Sequence, residues 1–540
     1  MTDEPRNGMV MGQMVDAVTY MAMSMRLTPS MHKAVLFAAR NVGEPLAARL
    51  RQVVVDVELR KFDSLEDAFM DLARTYDPGN EEFQQALRSL RTAELGGTID
   101  GVERALDRAT STVFEGSRRR MKEFADGLQR PVFVLFSLGV VLPLMVGSML
   151  PLMSATGVGG SLWAAILLMD VIFPILFVLT ARRILARRPL IRRAVPVHTD
   201  GDGKAKRVAI ALIVGGILVA LGVFCTQIAA DATSAQAELD AALADGTIVG
   251  MDPVHRSDLE ARASSAEGDP LAALASTIGP LPMLWGVAAA VAIYYLPTLR
   301  GPRRRRKEVE SVEDSLPDAL FQIGSRIADG MPLEPAIQRT ASSMDGEPIA
   351  ALLRKALAHM TLKRTSATEA LFGRGGALVG FPSENVSASL KTIVQMVRKD
   401  VSGAGRAIVA VSDHMRDLRK VDREVASQLR PVTDMMRSTA TLFAPIILGI
   451  TSALYLVVAR LAPSLPTSSV AAVAAPIPSG VFILILGVFV LAMVAATMHF
   501  TSHLANGDDP IEGRYQTAKA LPLAVAVFSI ASVVGQTVVA

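Results

Sequence analysis

The chain has 540 residues, of which 51% are hydrophobic but only 5% aromatic, an aliphatic palette that suits membrane helices better than stacked globular cores. The formal charge of +3 is uninformative because cations and anions are segregated along the chain. Cys225, the single cysteine, lies in an apolar run and excludes both an intrachain disulfide and a cysteine-based zinc site.

A helix needs about 20 apolar residues to cross the hydrocarbon core. From the N-terminus, residues 1–14 form a tail with Asp3, Glu4 and Arg6 among methionines; it lacks the pattern of a cleaved signal peptide and is expected in the cytoplasm. Residues 15–130 read as a first helical bundle, and 131–185 as transmembrane helices 1 and 2, a hairpin turning near Gly157, Gly159 and Gly160. A basic loop at 186–207 precedes helix 3 at 208–230, an acidic extracytoplasmic loop at 231–270 and helix 4 at 271–299. A basic linker at 300–311 leads to a second bundle at 312–437, helices 5 and 6 at 438–499, a loop at 500–519 and helix 7 at 520–540. The expected fold is therefore all-α: a polytopic membrane protein with two homologous cytoplasmic helical-bundle domains and about seven transmembrane helices.

Orientation follows from the cations, because Lys and Arg beside a span resist translocation. Arg182, Arg183, Arg187 and Arg188 follow helix 2, and Arg303, Arg304, Arg305 and Arg306 follow helix 4. Both clusters anchor their segments inside, which places both bundles in the cytoplasm. The same cations are candidates for docking an acidic partner.

The two bundles read as one unit repeated. Gly43-Glu44-Pro45-Leu46-Ala47-Ala48 recurs as Gly346-Glu347-Pro348-Ile349-Ala350-Ala351, Asp16-Ala17 as Asp318-Ala319, and Ala34-Val35 as Ala336-Ile337. Asp67-Ala68-Phe69 resembles Glu369-Ala370-Leu371. In the second copy Leu316, Leu320, Ile323 and Ile327 fall on one helical face, which Gly330 and Pro332 should end. Late in each copy a glycine pair, Gly96 and Gly97 or Gly403 and Gly405, is expected to form a corner between helices. A long charged helix follows, carrying Arg118, Arg119, Arg120 and Lys122 in one copy and Arg416, Arg419, Lys420 and Arg423 in the other. Each reads as a lever into the membrane, with Pro131 or Pro431 after it and Pro143 or Pro445 within the ensuing span.

Duplicated helical domains with a late glycine corner and a charged helix leading into membrane resemble the type II secretion system F-domain family, the platform proteins of type IV pili, type II secretion and the archaeal flagellum. The resemblance covers about Val15 to Leu185 and Val312 to Thr497. The family's pattern of an acid followed by two glycines falls on Glu94, Gly96 and Gly97, and one residue out of step on Asp400, Gly403 and Gly405. Leu316-Pro317-Asp318-Ala319-Leu320, followed by Gly330 and Leu333, is similar to the domain's opening in the archaeal and tight-adherence branches. The extra pair of spans from Val208 to Leu299 looks like the archaeal members. The resemblance implies a plasma-membrane platform without bond chemistry of its own. Its partners would be a hexameric secretion ATPase, pilin-like subunits and the lipid bilayer. It would form a homo-oligomer, a dimer among the options, and bind no nucleic acid.

Enzymatic signatures are missing. No Gly-x-x-x-x-Gly-Lys-Ser/Thr loop occurs, His499 and His503 lack a zinc-site context, and no nucleophile–base constellation can be assembled. No enzyme activity, cofactor or metal is expected. Asp170 is the one acid well inside a predicted span, where a charge is costly; it reads either as a contact to a partner helix or as a neutral residue near the hairpin. Competing readings are a transporter built from duplicated units and a signalling receptor whose sensor is the acidic loop.

Overall fold

The computed structural model describes residues 7–76, 81–96, 98–143, 145–147, 149, 165–186, 204–244, 278–397, 401–461, 478–507 and 509–539. All regular structure among them is helical, with no strand.

The first bundle consists of α1 (Asn7–Leu27), α2 (Met31–Asn41), α3 (Leu46–Glu58), α4 (Leu65–Tyr76), α5 (Glu81–Leu95) and α6 (Ile99–Gly127). The sequence dictates these elements locally. In α5, Phe83, Ala86, Leu87, Leu90 and Ala93 recur at three- and four-residue spacings and are all buried, while Glu81 and Glu82 stand in the first turn, where the helix dipole favours acids. The buried stripe meets Met21, Leu50 and Phe69 in one hydrophobic core. Burying each such side chain contributes about 1.5–3 kcal/mol.

Between the bundles come α7 (Gln129–Phe136), α8 (Phe173–Ala186) and α9 (Lys204–Ala244). The second bundle uses the end of α10 (Leu281–Ala328), then α11 (Leu333–Ser343), α12 (Pro348–Lys363), α13 (Ala367–Phe372), α14 (Glu384–Val397) and α15 (Val401–Ser438). The expected face is buried: Leu316, Leu320, Ile323 and Ile327 all lie in its core. The expected stop is also present, because α10 ends at Ala328 and Gly330 takes φ +89°. The two bundles start one short helix in the same way. The Ser64 hydroxyl accepts the Asp67 N–H at 3.1 Å to start α4, and that of Ser366 accepts the Glu369 N–H at 3.4 Å to start α13.

The chain divides into two compact units. One takes in Met1–Leu128 and Pro302–Arg430, so both bundles share it. Within that unit the two cores join: Met23 of α1 is buried in the second core, and Tyr20 packs against both. Tyr20 meets Phe37 edge to face, with ring centroids 6.1 Å apart.

The other unit contains α7, α8, α9, the start of α10, and α16 (Ala444–Leu461), α17 (Ser479–Asn506) and α18 (Pro510–Val539). Among the described residues, five helical stretches are long and apolar enough to cross a membrane: Ala205–Ile228, Leu281–Ala328, Ala426–Val457, Ser479–Ala505 and Pro510–Val538. That is the character of a membrane protein. They overlap the stretches expected as helices 3 to 7, with different bounds. For helices 1 and 2, the turn at residues 150–164 lies outside the described residues. Inside this unit α16 and α18 touch through small residues, with the Ser452 and Ser532 hydroxyls hydrogen-bonded at 2.8 Å in a buried contact.

Three boundaries differ from expectation. The segment 300–311 is no linker but the middle of α10, where Arg304 pairs with Glu308 at 3.1 Å and Arg306 with Glu310 at 3.2 Å, one helical turn apart. The loop at 500–519 shrinks to a few residues, because Gly507 adopts φ +74° and Asp509 accepts the Ile511 N–H at 3.0 Å, restarting the helix at once. Helix 3 continues as α9 to Ala244, into the stretch expected as an outer loop.

Candidate functional site

The expected levers carry their chemistry in ion pairs. On α6, Arg120 reaches Glu82 of α5 at 3.0 Å and Arg119 pairs with the same carboxylate. On α15, Arg416 meets Asp318 at 2.7 Å and lies over the Phe321 ring, and Arg419 meets Asp314 at 2.6 Å, both acids belonging to α10. Arg118 crosses between the copies to Glu424 at 3.1 Å. These cations tie each long helix to a bundle.

Burial alone would raise the Glu82 pKa, but its own backbone N–H and the charges of Arg120 and Arg119 outweigh that and hold it below the usual glutamate range. A depressed carboxyl contributes stability above its unfolded pKa and loses it as pH falls through the folded value. The full chain will therefore lose stability relative to Glu82→Gln as pH drops from 6 to about 3, the ordinary glutamate value being about 4.3. Melting curves of the two proteins that stay parallel across that range would refute the assignment.

The glycines fall into two settings. Gly96 lies in the short connection between α5 and α6, and Gly97 lies outside the described residues. Gly403 and Gly405 sit within the first turns of α15, not in a corner ahead of it. Burial sets the register: Leu106, Ala109 and Val113 of α6 answer Ile408, Val411 and the half-buried Met415 of α15, which puts Gly101 opposite Gly403. Glu94, the acid of the sequence pattern, has a structural task, accepting the Met31 N–H at 2.9 Å at the start of α2. Asp400 lies outside the described residues.

Sequence reading missed three π-helical turns among the described residues, Ser137–Val141, Leu167–Ile172 and Thr439–Phe443. Each ends two residues before a proline: Pro143, Pro174 and Pro445. A proline ring displaces the carbonyl four residues back and offers it no N–H, so the turn ahead of it widens. The displaced carbonyls belong to Gly139, Asp170 and Thr441, each inside its π turn. The first turn follows α7, itself one residue after α6, and the third follows α15 directly. Asp170 sits in the second, half-buried, and its Oδ1 has no hydrogen-bond partner among the described residues.

The basic candidates divide likewise. Arg182 and Arg183 are exposed in the last turns of α8, and Arg187 and Arg188 lie outside the described residues. Arg304 and Arg305 are exposed on α10, Arg303 is half-buried, and Arg306, only 9% exposed, faces inward and cannot serve a partner.

Within the bundle unit a cleft of about 580 Å³ opens between α1, α6 and α15. Its wall mixes apolar Met23 and Phe114 with cations such as Arg406 and Lys420 and acids such as Glu115 and Asp417. Among the described residues no cluster of His, Cys, Asp and Glu is suited to a metal. No family model matches the chain, and neither the curated proteins nor the solved structures give a match.

Proposed function

We propose that this chain is a non-enzymatic platform of a type IV pilus-like, archaellum-like or type II secretion-like machine, coupling a cytoplasmic ATPase to pilin assembly or protein export. In this reading it is a plasma-membrane protein of seven spans, with two homologous bundles on the cytoplasmic side. One observation carries it: the last long helix of each bundle leads, through α7 after α6 and directly after α15, into a π turn and a proline in an apolar stretch. Matching cores, matching capping serines and matching π turns support an internal duplication. A protein that must convert a push on soluble domains into movement of membrane helices needs such continuous elements, with a compliant joint in each.

The reading makes Asp170 a contact for a partner helix, since an unpaired buried carboxyl oxygen in an apolar segment is costly unless something completes it. Loss of the gene should abolish a surface fibre or a secreted product, and the purified chain should bind the secretion ATPase encoded in the same genome. Asp170→Asn should reduce assembly while leaving that binding intact. Solute uptake by reconstituted vesicles, with assembly unaffected by gene loss, would instead favour a permease.

A further inference from the structure

Among the described residues only two non-glycine positions take a positive φ, and both are arginines: Arg60 at φ 58° and Arg364 at φ 51°. They lie at the corresponding corners of the two bundles, just past the ends of α3 (Leu46–Glu58) and α12 (Pro348–Lys363). Within two residues ahead of each stands an unusually exposed leucine, Leu59 at 73% and Leu362 at 84%. The triplets read Leu59-Arg60-Lys61 and Leu362-Lys363-Arg364, an apolar side chain followed by two cations.

Both features oppose the fold's own interest. A left-handed helix end is the usual place for glycine or asparagine, and a longer side chain there is strained. An exposed leucine leaves its apolar surface in water. One such corner would be unremarked; the same pair of departures at the matching corner of both copies points to use outside the fold.

The charges around the corners separate a protein partner from a lipid surface. The second corner has no acid among residues 361–366, but the first is flanked by Glu58 and Asp63, and Lys61 pairs with Asp56 at 3.3 Å while lying beside the Phe62 ring. An anionic membrane would be repelled by these carboxylates at the first corner. A protein pocket that takes the leucine and offers one carboxylate to the arginine suits both corners. Two equivalent sites on one chain fit two identical subunits of a homo-oligomer.

We infer that the corners Leu59-Arg60-Lys61 and Leu362-Lys363-Arg364 are paired docking points for two subunits of one homo-oligomeric protein, each subunit supplying an apolar pocket rimmed by a carboxylate. With the ATPase as that partner, the inference rests on the platform reading.

The test uses the full chain in zwitterionic nanodiscs and the purified secretion ATPase, with affinity read by interferometry. Arg60→Gly and Arg364→Gly remove the side chain where glycine is the favoured residue, so the melting temperature should hold or rise. Each should weaken binding about threefold, and the double variant about tenfold, as expected for interface arginines. Leu59→Ser with Leu362→Ser should weaken it about tenfold as well. No binding by the unaltered chain would remove the platform reading and this inference with it. Binding that both double variants retain would overturn the corners alone. Loss confined to one corner would overturn their paired use. Attachment to phosphatidylglycerol vesicles, lost in the variants while ATPase binding persists, would assign the corners to lipid.

Discussion

Gly405→Ala will destabilise the second bundle by about 2–3 kcal/mol, read as a fall in the melting temperature of the full chain. Helix propensity argues the other way, since adding a Cβ to a helical glycine usually gains up to about 1 kcal/mol. Position decides the sign. A Cβ on Gly405 would stand 2.3 Å from the backbone nitrogen of Ala328 and 2.6 Å from its Cα. Those atoms belong to the last turn of α10 and cannot rotate aside, so α10 and α15 must separate and the contacts of Ile408 and Ile327 in the same core loosen. Gly216 of α9 is the internal control: also helical, it has no atom within 4 Å of the added carbon, and Gly216→Ala should leave the chain unchanged or gain up to about 1 kcal/mol. Equal effects at the two positions would show that the close approach is not what Gly405 is for.

The second large effect concerns function. Pro143→Ala with Pro445→Ala restores an N–H opposite the carbonyls of Gly139 and Thr441 and removes the ring that forces the widened turns. The double variant is expected to be more stable by about 1 kcal/mol at each site, since neighbouring groups in a membrane already offset part of a proline's cost. Assembly, under the platform reading, should fall to near background, because stiffened joints no longer bend when the bundles are driven. Full assembly by the stabilised double variant would mean that bending at the π turns is not used.

What was legible in the sequence was whatever periodicity encodes. Leu316, Leu320, Ile323 and Ile327 announced their face because burial repeats with the helical turn, and Gly330 announced a stop because few other residues tolerate its conformation. Register between the copies was less legible. The glycine pairs Gly96 and Gly97 against Gly403 and Gly405 suggested one alignment, while the buried faces of α6 and α15 follow another. Sequence shows a glycine but not whether it serves a corner or a close helix contact. The run from Arg303 to Lys307 resembles a linker because a dense charge cluster next to a span has no apolar periodicity of its own. It is helical because acids one turn on, Glu308 and Glu310, answer the cations. The π turns and the left-handed arginines were invisible for a simpler reason: neither has a residue type of its own. Proline marks a kink without specifying the ring size ahead of it, and an arginine in a glycine's conformation carries no sign of it.

The side chains of Tyr20 and Met23 give the bundle pair a property that neither copy would have alone. Because α1 supplies apolar groups to both cores, separating the copies would strip a buried methionine and an aromatic pair, a hydrophobic loss of several kcal/mol. Melting is then shared: a lesion in one copy lowers the threshold for both, and a ligand gripping one stabilises both. Thermodynamically the two bundles form a single cooperative block, which has surrendered the freedom of its parts to unfold, or to move, apart.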